Sequence, residues 1–481
     1  MPVDMERLSN SSVPGERPPI RMVHLGLGAF HRAHQAWYTH RANELTAAPG
    51  TIPDGGQWGI AAFTGRSPRA AEVLAEQDGL YTLLVRDKDS DKARIITSIV
   101  EAVDGDDGPR WRQLVSASET AVITLTVTEA GYHHHATMGL DYGNVDIDGD
   151  IRFLRSSSAM ETARTAPGRL VDGLRARRNA GSGALAVVSC DNLSHNGEVT
   201  RTVVLQLAMA VETDLAGWID ANVSFVSTMV DRITPASTES DLLSASDLTG
   251  LRDQAPVVAE PFTVWVIAGD FPAGRPDWEL AGARFVDDIA PFEERKLWLL
   301  NAGHSLLAYS GLLRGHETIA DTMKDTWCVD LLERLWSDAR AVLPFSEEET
   351  DTALQDLRTR FRNPRIRHQL TQIAADGSIK LRMRTIPVIR RRLALGLDAG
   401  SGEVGLIAAW LLCLGSPKIT FQDPGAVTLV PETEDQTALS RDNAAAVVAH
   451  LAPDLAGSAE LVAAVVREAQ RLGATTASTS V

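Results

Sequence analysis

Three observations predict an α/β protein in which a parallel sheet, covered by helices on both faces, is followed by a mostly α-helical domain. The first is a series of near-continuous apolar runs: Met22–Leu25, Trp58–Thr64, Tyr81–Val85, Ile95–Val100, Ala121–Val127 and Ala184–Ser189. Strands of this kind, separated by helical stretches, belong to a sheet buried on both faces. The second is a glycine-rich turn, Gly26-Leu27-Gly28, between the first run and a stretch, Ala33–Leu45, free of Pro and Gly. The third is a change of character beyond Pro291, where helical periodicity replaces strand-like runs.

Taken in order, the polar arm through Pro19 is expected to be loosely held. The first apolar run, the glycine turn and the stretch after it read as strand, turn and helix, the first half of a βαβ unit. An acidic turn, Asp104–Gly108, separates two later runs, and Cys190-Asp191-Asn192 closes the run at Ala184–Ser189. The helical part comprises Phe292–Leu313, Val329–Leu343, Glu347–Phe361, Val388–Leu397, Val404–Cys413, Asn443–Leu451 and Glu460–Leu472. The expected division is residues 1–285 and 286–481, and the tail Ala474–Val481 is expected to fray.

Composition narrows the function classes. Lys and Arg number 46 against 63 Asp and Glu, a net charge of −17, which opposes binding to nucleic acid or to an anionic membrane surface. Three scattered cysteines, Cys190, Cys328 and Cys413, fit neither a disulfide framework nor a zinc site and suit a reducing cytoplasm. No apolar run is long enough for a membrane span, and no signal-peptide pattern opens the chain.

Several residue groups could carry chemistry. A strand ending in Gly26-x-Gly28 lets backbone approach a pyrophosphate, and the helix start that follows favours negative charge. His31 stands where a third glycine would complete the dinucleotide fingerprint, so an ordinary tight turn remains open. The carboxylate that would meet a ribose 2′-hydroxyl after the second strand is replaced by Thr64-Gly65-Arg66-Ser67. Arg66 suits a 2′-phosphate, the adenine face or plain solvent, leaving NAD and NADP both open.

A second group is Lys296, Asn301 and His304. At 100° per residue these stand at about 0°, 140° and 80° on one broad side of an α-helix. In so apolar a segment they need polar partners or a ligand, and a desolvated lysine can act as a base. A satisfied core histidine and a solvated lysine are the plain alternative. Asn192 and Asp231 stand at strand ends, where open α/β sheets place their ligands, although both residue types also serve in caps and turns. The triplet His133-His134-His135 reads as a solvated loop, because adjacent side chains diverge. Trp298, Trp327 and Trp410 read as core.

Val23–Tyr38 (VHLGLGAFHRAHQAWY) resembles the signature of the mannitol dehydrogenase family, the long-chain polyol-specific dehydrogenases. Thr124–Tyr132, Ser189–Gly197, Met229–Pro235, Lys296–Ser305 and Asp376–Lys380 are similar to further family blocks, in order, across three-quarters of the chain. The resemblance implies a Rossmann-type N-terminal domain and a mostly α-helical C-terminal domain, with the active site in the cleft between them. It also implies metal-free hydride transfer between a nicotinamide cofactor and a secondary alcohol of a polyol or sugar acid. Cofactor contacts would come from Gly26, Gly28, Ala29, Phe30, His31 and Arg32, with Arg66 beside them. Lys296 would be the general base, Asn192 and Asn301 the oxyanion hole, and His304 the orienting group. Asp231 and Lys380 would bind or support the substrate, and Glu293 would assist proton exit.

Substrate choice stays open. Gln372 stands where mannitol 2-dehydrogenases tend to carry Arg, while Asn363–His368 and Glu317–Asp321 look more like hexuronate (fructuronate) reductases. Arg367 or His368 would then meet a carboxylate. D-Mannitol/D-fructose, D-mannonate/D-fructuronate and D-arabinitol all remain candidates. A monomer is the default state. The alternatives from other classes are a non-catalytic nucleotide or sugar sensor, which need not keep the lysine, and a zinc-dependent polyol dehydrogenase, which lacks its ligand set.

Overall fold

The computed structural model describes residues 5–47, 56–135, 138–156, 161–366, 368–426, 429 and 440–477. The chain divides into two compact units, Met1–Ala290 and Pro291–Val481.

The first unit carries thirteen strands among its described residues. They are β1 (Ile20–Leu25), β2 (Gly59–Phe63), β3 (Tyr81–Arg86), β4 (Asp91–Ile96), β5 (Ile99–Val103), β6 (Val122–Leu125) and β7 (His134–His135). Then come β8 (Gly139–Leu140), β9 (Leu185–Ser189), β10 (Val223–Asp231), β11 (Val257–Ala259), β12 (Val264–Ala268) and β13 (Arg284–Phe285). Eight form one sheet in the order β13-β12-β10-β9-β6-β1-β2-β5. From β5 across to β10 every pairing is parallel, and β12 then runs antiparallel to β10. The order reverses at β1/β6, and such a reversal opens a ligand crevice at the carboxyl ends of the strands.

Alternation along the strands divides their side chains between two apolar layers. Met22, Ile60, Ala62, Val122 and Val188 fill one, while Val23, Ala61, Phe63, Ile123 and Val187 fill the other. This is why the strands read as unbroken apolar runs: both faces are buried.

Several sequence expectations change here. The run Ile95–Val100 is not one strand: β4 ends at Ile96 and β5 begins at Ile99. Thr97 and Ser98 turn the chain, with Ser98 Oγ donating to the Ala36 carbonyl and Thr97 bonded to His40. Tyr81–Val85 leaves the main sheet, because β3 pairs antiparallel with β4 and parallel with β11. The described arm is held, not loose. Leu8 is fully buried and its N–H donates to the Arg252 carbonyl, while Arg17 donates to the carbonyls of Thr97 and Ile99.

The second unit is helical around one apolar core. Ser401–Gly415 runs through its centre with Gly402 to Cys413 all buried, so its apolar character extends around the whole helix. The helices Thr326–Arg340, Glu347–Phe361, Ile386–Ala394, Arg441–Leu451 and Ala459–Ala477 all contribute apolar residues to the same core. The last continues through residues 474–477, expected to fray, while 478–481 lie outside the described residues. Trp298 and Trp410 are core, whereas Trp327 is half-buried. The stretch expected as a single helix over Phe292–Leu313 is three segments: α-helix Ala290–Arg295, a π-helical turn Lys296–Asn301, and α-helix Ala302–Leu313.

Candidate active site

In the sheet unit, the ends of β1, β6, β9 and β10 surround a cavity of about 500 Å³. Its walls include Phe30, the segment from Thr126 to Ala130, Asp191 and Asn192. The glycine turn stands at the end of β1. Gly26 has φ +111°, and a Cβ there would lie 2.3 Å from the Thr126 carbonyl oxygen, so only glycine fits. Gly26 N–H and Leu27 N–H both donate to the Phe63 carbonyl, tying the turn to β2. At Gly28 a Cβ would meet the Gly26 carbonyl oxygen at 3.5 Å, an ordinary contact, and the residue precedes the helix Ala29–Ala33, whose first N–H groups lack intrahelical acceptors. A turn with glycine at both ends, beside a crevice of this size, fits the pyrophosphate of a dinucleotide.

The residues under the turn divide by depth. His31 is fully buried, and its ring stacks on His24 of β1 with centroids 3.3 Å apart. His24 bonds to the Thr124 and Thr126 hydroxyls, and burial drives its pKa down to about 3. Both imidazoles therefore support the turn as neutral rings. Arg32 is spent on the carbonyls of Gly28 and Ala255. Ala29 and Phe30 are half-buried, and Arg66 is exposed in the loop after β2.

Asn192 is exposed in the cavity wall, beside a carboxyl that the sequence did not single out. Asp191 accepts from the Tyr132 hydroxyl and from Leu193 N–H at 3.0 Å. Burial outweighs these bonds and raises its pKa to about 6. Asp231 ends β10 at half-burial; its neighbour Arg232 is buried, donating to the carbonyls of Ala33 and Glu260.

In the helical unit, Lys296 and Asn301 bound the π turn. Ala302 N–H reaches back to the Leu297 carbonyl, the i→i+5 bond that widens the turn. In such a turn residues five apart come round closer to one side than they do in an α-helix. The two side chains are therefore brought to one face, in place of the divergence of about 140° that an α-helix gives. Both are half-buried, and Glu293, one turn upstream, is buried. His304 follows in the next α-helical turn, its ring against Phe361 (4.5 Å) and His368 (5.4 Å). Burial, then His368, Arg360 and Arg384, push its pKa well below 6.5. Lys380 lies on a helix absent from the sequence reading, Gly377–Arg384, and its Nζ donates to the Ile373 carbonyl at 3.1 Å. Burial and then Arg384 lower its pKa. Asp423 anchors that helix by accepting from Ser378 N–H and Trp410 Nε1. Gln372 is exposed, and Arg367 lies outside the described residues.

Comparison with known proteins decides the family. The Mannitol dehydrogenase Rossmann domain model matches residues 20–280, and the Mannitol dehydrogenase C-terminal domain model matches residues 288–473. The chain belongs to the mannitol dehydrogenase family. It is 40% identical over 424 residues to D-mannonate oxidoreductase of Escherichia coli, covering 85% of this chain and 84% of that protein. It is 35% identical over 428 residues to mannitol 2-dehydrogenase of Cereibacter sphaeroides, covering 87% and 84%. Among solved structures, the Pseudomonas fluorescens mannitol 2-dehydrogenase ternary complex with NAD and D-mannitol aligns with a TM-score of 0.77 at 33% identity. That alignment covers 99% of this chain and 97% of the other. This chain is an oxidoreductase of the mannitol dehydrogenase family.

Two further features of this family member lay beyond the sequence reading. Trp336 and Arg384 donate to carbonyls of the lysine turn, from segments far away in the chain. His316, Asp325 and Cys328 form the one group of possible metal ligands among the described residues. Arg314 Nε donates to the same Asp325 oxygen as His316, at 2.9 and 3.1 Å, so a cation already occupies that carboxylate. All three cysteines are free and buried. No described helix is long and apolar enough to cross a membrane.

Proposed function

We propose that this chain is an NAD-dependent dehydrogenase that interconverts a secondary alcohol and a ketone on a sugar acid of the D-mannonate/D-fructuronate kind. The observation that carries the reading is the π turn, which sets an amine and an amide on one face with His304 close behind. Bound NAD supplies the hydride acceptor, held by the Gly26–Gly28 turn and the walls of the β1/β6 crevice.

The chain's own residues handle the proton and the charge. In oxidation, neutral Lys296 Nζ takes the hydroxyl proton as the hydrogen on the carbinol carbon leaves with the C–H electron pair as hydride and that carbon becomes the carbonyl. The Asn301 amide donates to the oxygen as negative charge builds, which is the stabilisation such reactions need. Asn192 carries the matching amide on the sheet unit. His304, kept neutral by its burial and its cationic neighbours, orients the oxygen as a hydrogen-bonding group and carries no charge of its own. Glu293 gives the lysine's proton a carboxylate route outward. Asp231 and Lys380 hold the remaining hydroxyls.

The preference for a sugar acid over a polyol rests on charge. Two of the groups that act on His304, Arg360 and Arg384, are cationic, in a protein whose net charge is −17, while burial and then Arg360 lower the pKa of His368. A carboxylate substrate is stabilised by such a field, whereas an uncharged polyol gains nothing from it. The relative named D-mannonate oxidoreductase supports the same choice, and the mannitol 2-dehydrogenases support the polyol alternative. We place the enzyme in the cytoplasm as a monomer.

The test is nicotinamide absorbance with purified protein against fructuronate, fructose, mannonate, mannitol and arabinitol, with NAD(H) and NADP(H) in parallel. Fructuronate with NADH should give the highest kcat/KM. A higher value for fructose or arabinitol overturns the acid assignment, and no turnover with any pair overturns the reading.

A further inference from the structure

The π turn at Lys296–Asn301 is a departure from the helix on either side of it, and something must hold it. Moving from i→i+4 to i→i+5 bonding displaces carbonyls from their ordinary partners, and a buried carbonyl without a donor is costly. Leu299 is 1% exposed, so water cannot serve its backbone, and the backbone N–H that reaches its carbonyl, that of Ala302, is shared with the Leu297 carbonyl. Trp336, on the helix Thr326–Arg340, donates its indole N–H to the Leu299 carbonyl at 2.9 Å. Arg384, at the end of Gly377–Arg384, donates Nη1 to the Asn301 carbonyl at 3.0 Å and to Ser305 Oγ at 2.8 Å. These donors stand 37 and 83 residues from their acceptors, so neither bond is a by-product of local helix geometry. Gly303 admits the indole: a Cβ there would lie 3.3 Å from Trp336 Nε1 and 3.2 Å from Leu332.

We infer that Trp336 and Arg384 are positioning residues of the hydride-transfer site, which hold the turn wide and thereby keep Lys296 and Asn301 on one face. Neither needs to touch substrate. The inference rests on the reading that Lys296 and Asn301 serve the reacting oxygen. Without the two donors, the segment regains i→i+4 bonding and Asn301 swings away from the lysine, a displacement of the kind that costs a large factor in rate while binding persists.

The experiment uses the full chain with Arg384→Met, Arg384→Lys, Trp336→Phe and Lys296→Ala. With the best substrate of the panel, Arg384→Met and Trp336→Phe should lower kcat by about 10–100-fold while KM for NADH stays within about twofold. Arg384→Lys, which keeps one donor, should recover part of the loss. A merely structural role would instead lower the melting temperature and damage kcat and KM together. A crystal structure of Arg384→Met should show residues 296–301 rewound into an α-helix; if that variant does not fold, the structure of Trp336→Phe decides. Wild-type kcat in folded Arg384→Met and Trp336→Phe, or a persisting π turn, overturns the inference. Undiminished turnover in Lys296→Ala would instead remove the reading of the reaction, and the crystal structure then decides the inference by itself.

Discussion

Lys296 and Asn301, five residues apart, bound a single π turn that the Ala302 N–H to Leu297 carbonyl bond closes. On the proposed reading, a proton acceptor and a hydrogen-bond donor are thereby offered together to one oxygen, which is what removal of a hydroxyl proton with stabilisation of the alkoxide requires. The rest of the helical unit can be read as support for that pair.

Replacing Lys296 with Ala should lower turnover by about 10²–10⁴-fold, the usual contribution of a positioned acid or base. Affinity for NADH, followed by fluorescence titration, should barely change, because the glycine turn belongs to the sheet unit. Turnover within a few-fold of wild type would remove the lysine from the mechanism.

Alcohol oxidation should speed up toward alkaline pH, since only the neutral amine accepts a proton. Ketone reduction should do better nearer neutrality, where the protonated amine returns one. His304 cannot supply that alkaline limb: burial, then His368, Arg360 and Arg384, push its pKa well below 6.5, so it is already neutral. Profiles of kcat/KM from pH 6 to 11 check this, and a flat oxidative profile would contradict it.

Asp191 should leave a mark on stability. Its folded pKa, raised to about 6 by burial, exceeds the ordinary carboxylate value of 3.8. Between those two pH values the folded chain keeps a proton that the unfolded chain has released, so stability falls as pH rises from about 4 to 6, then levels off. Asp191→Asn cannot ionise and lacks that slope. Denaturant titrations of both proteins at pH 4, 5, 6 and 7 should show the gap changing within that window; parallel curves would refute the assignment.

Gly26→Ala should destabilise the sheet unit by at least about 1–3 kcal/mol, because it combines a left-handed φ with a clash against the Thr126 carbonyl. Dinucleotide affinity should fall with it. Calorimetry and NADH titration give the two readouts, and a variant that melts and binds like wild type would show that the turn can relax.

Dialysis against a strong chelator should leave activity intact. Among the described residues the one candidate ligand group, His316, Asp325 and Cys328, shares its carboxylate with Arg314. Loss of turnover on dialysis, restored by added zinc, would show that a metal had been missed.

The sheet unit was legible where chemistry is local. Unbroken apolar runs gave β1, β2, β6 and β9, and Gly26 announced its turn because no other residue tolerates that backbone. Ile95–Val100 misled because Thr97 and Ser98 are compatible with a strand, and only their bonds to His40 and Ala36 reveal a turn. The lysine group was legible in its residue types but not in its geometry. A 3.6-residue period assumes an α-helix, and the donors that sustain a wider turn, Trp336 and Arg384, come from distant segments. The depth of His31 was equally hidden, since its stacking partner His24 lies on the strand beneath the turn.

The strand order has a temporal side. Every strand of the eight-stranded sheet, from β1 to β13, is encoded before Pro291, within one uninterrupted stretch of chain. A ribosome working from the N-terminus therefore delivers the whole sheet, with its crevice at β1/β6, before it reaches Lys296. Units of this kind generally fold as they emerge. The nascent enzyme can thus own its Rossmann scaffold while Lys296 and Asn301 are still unmade.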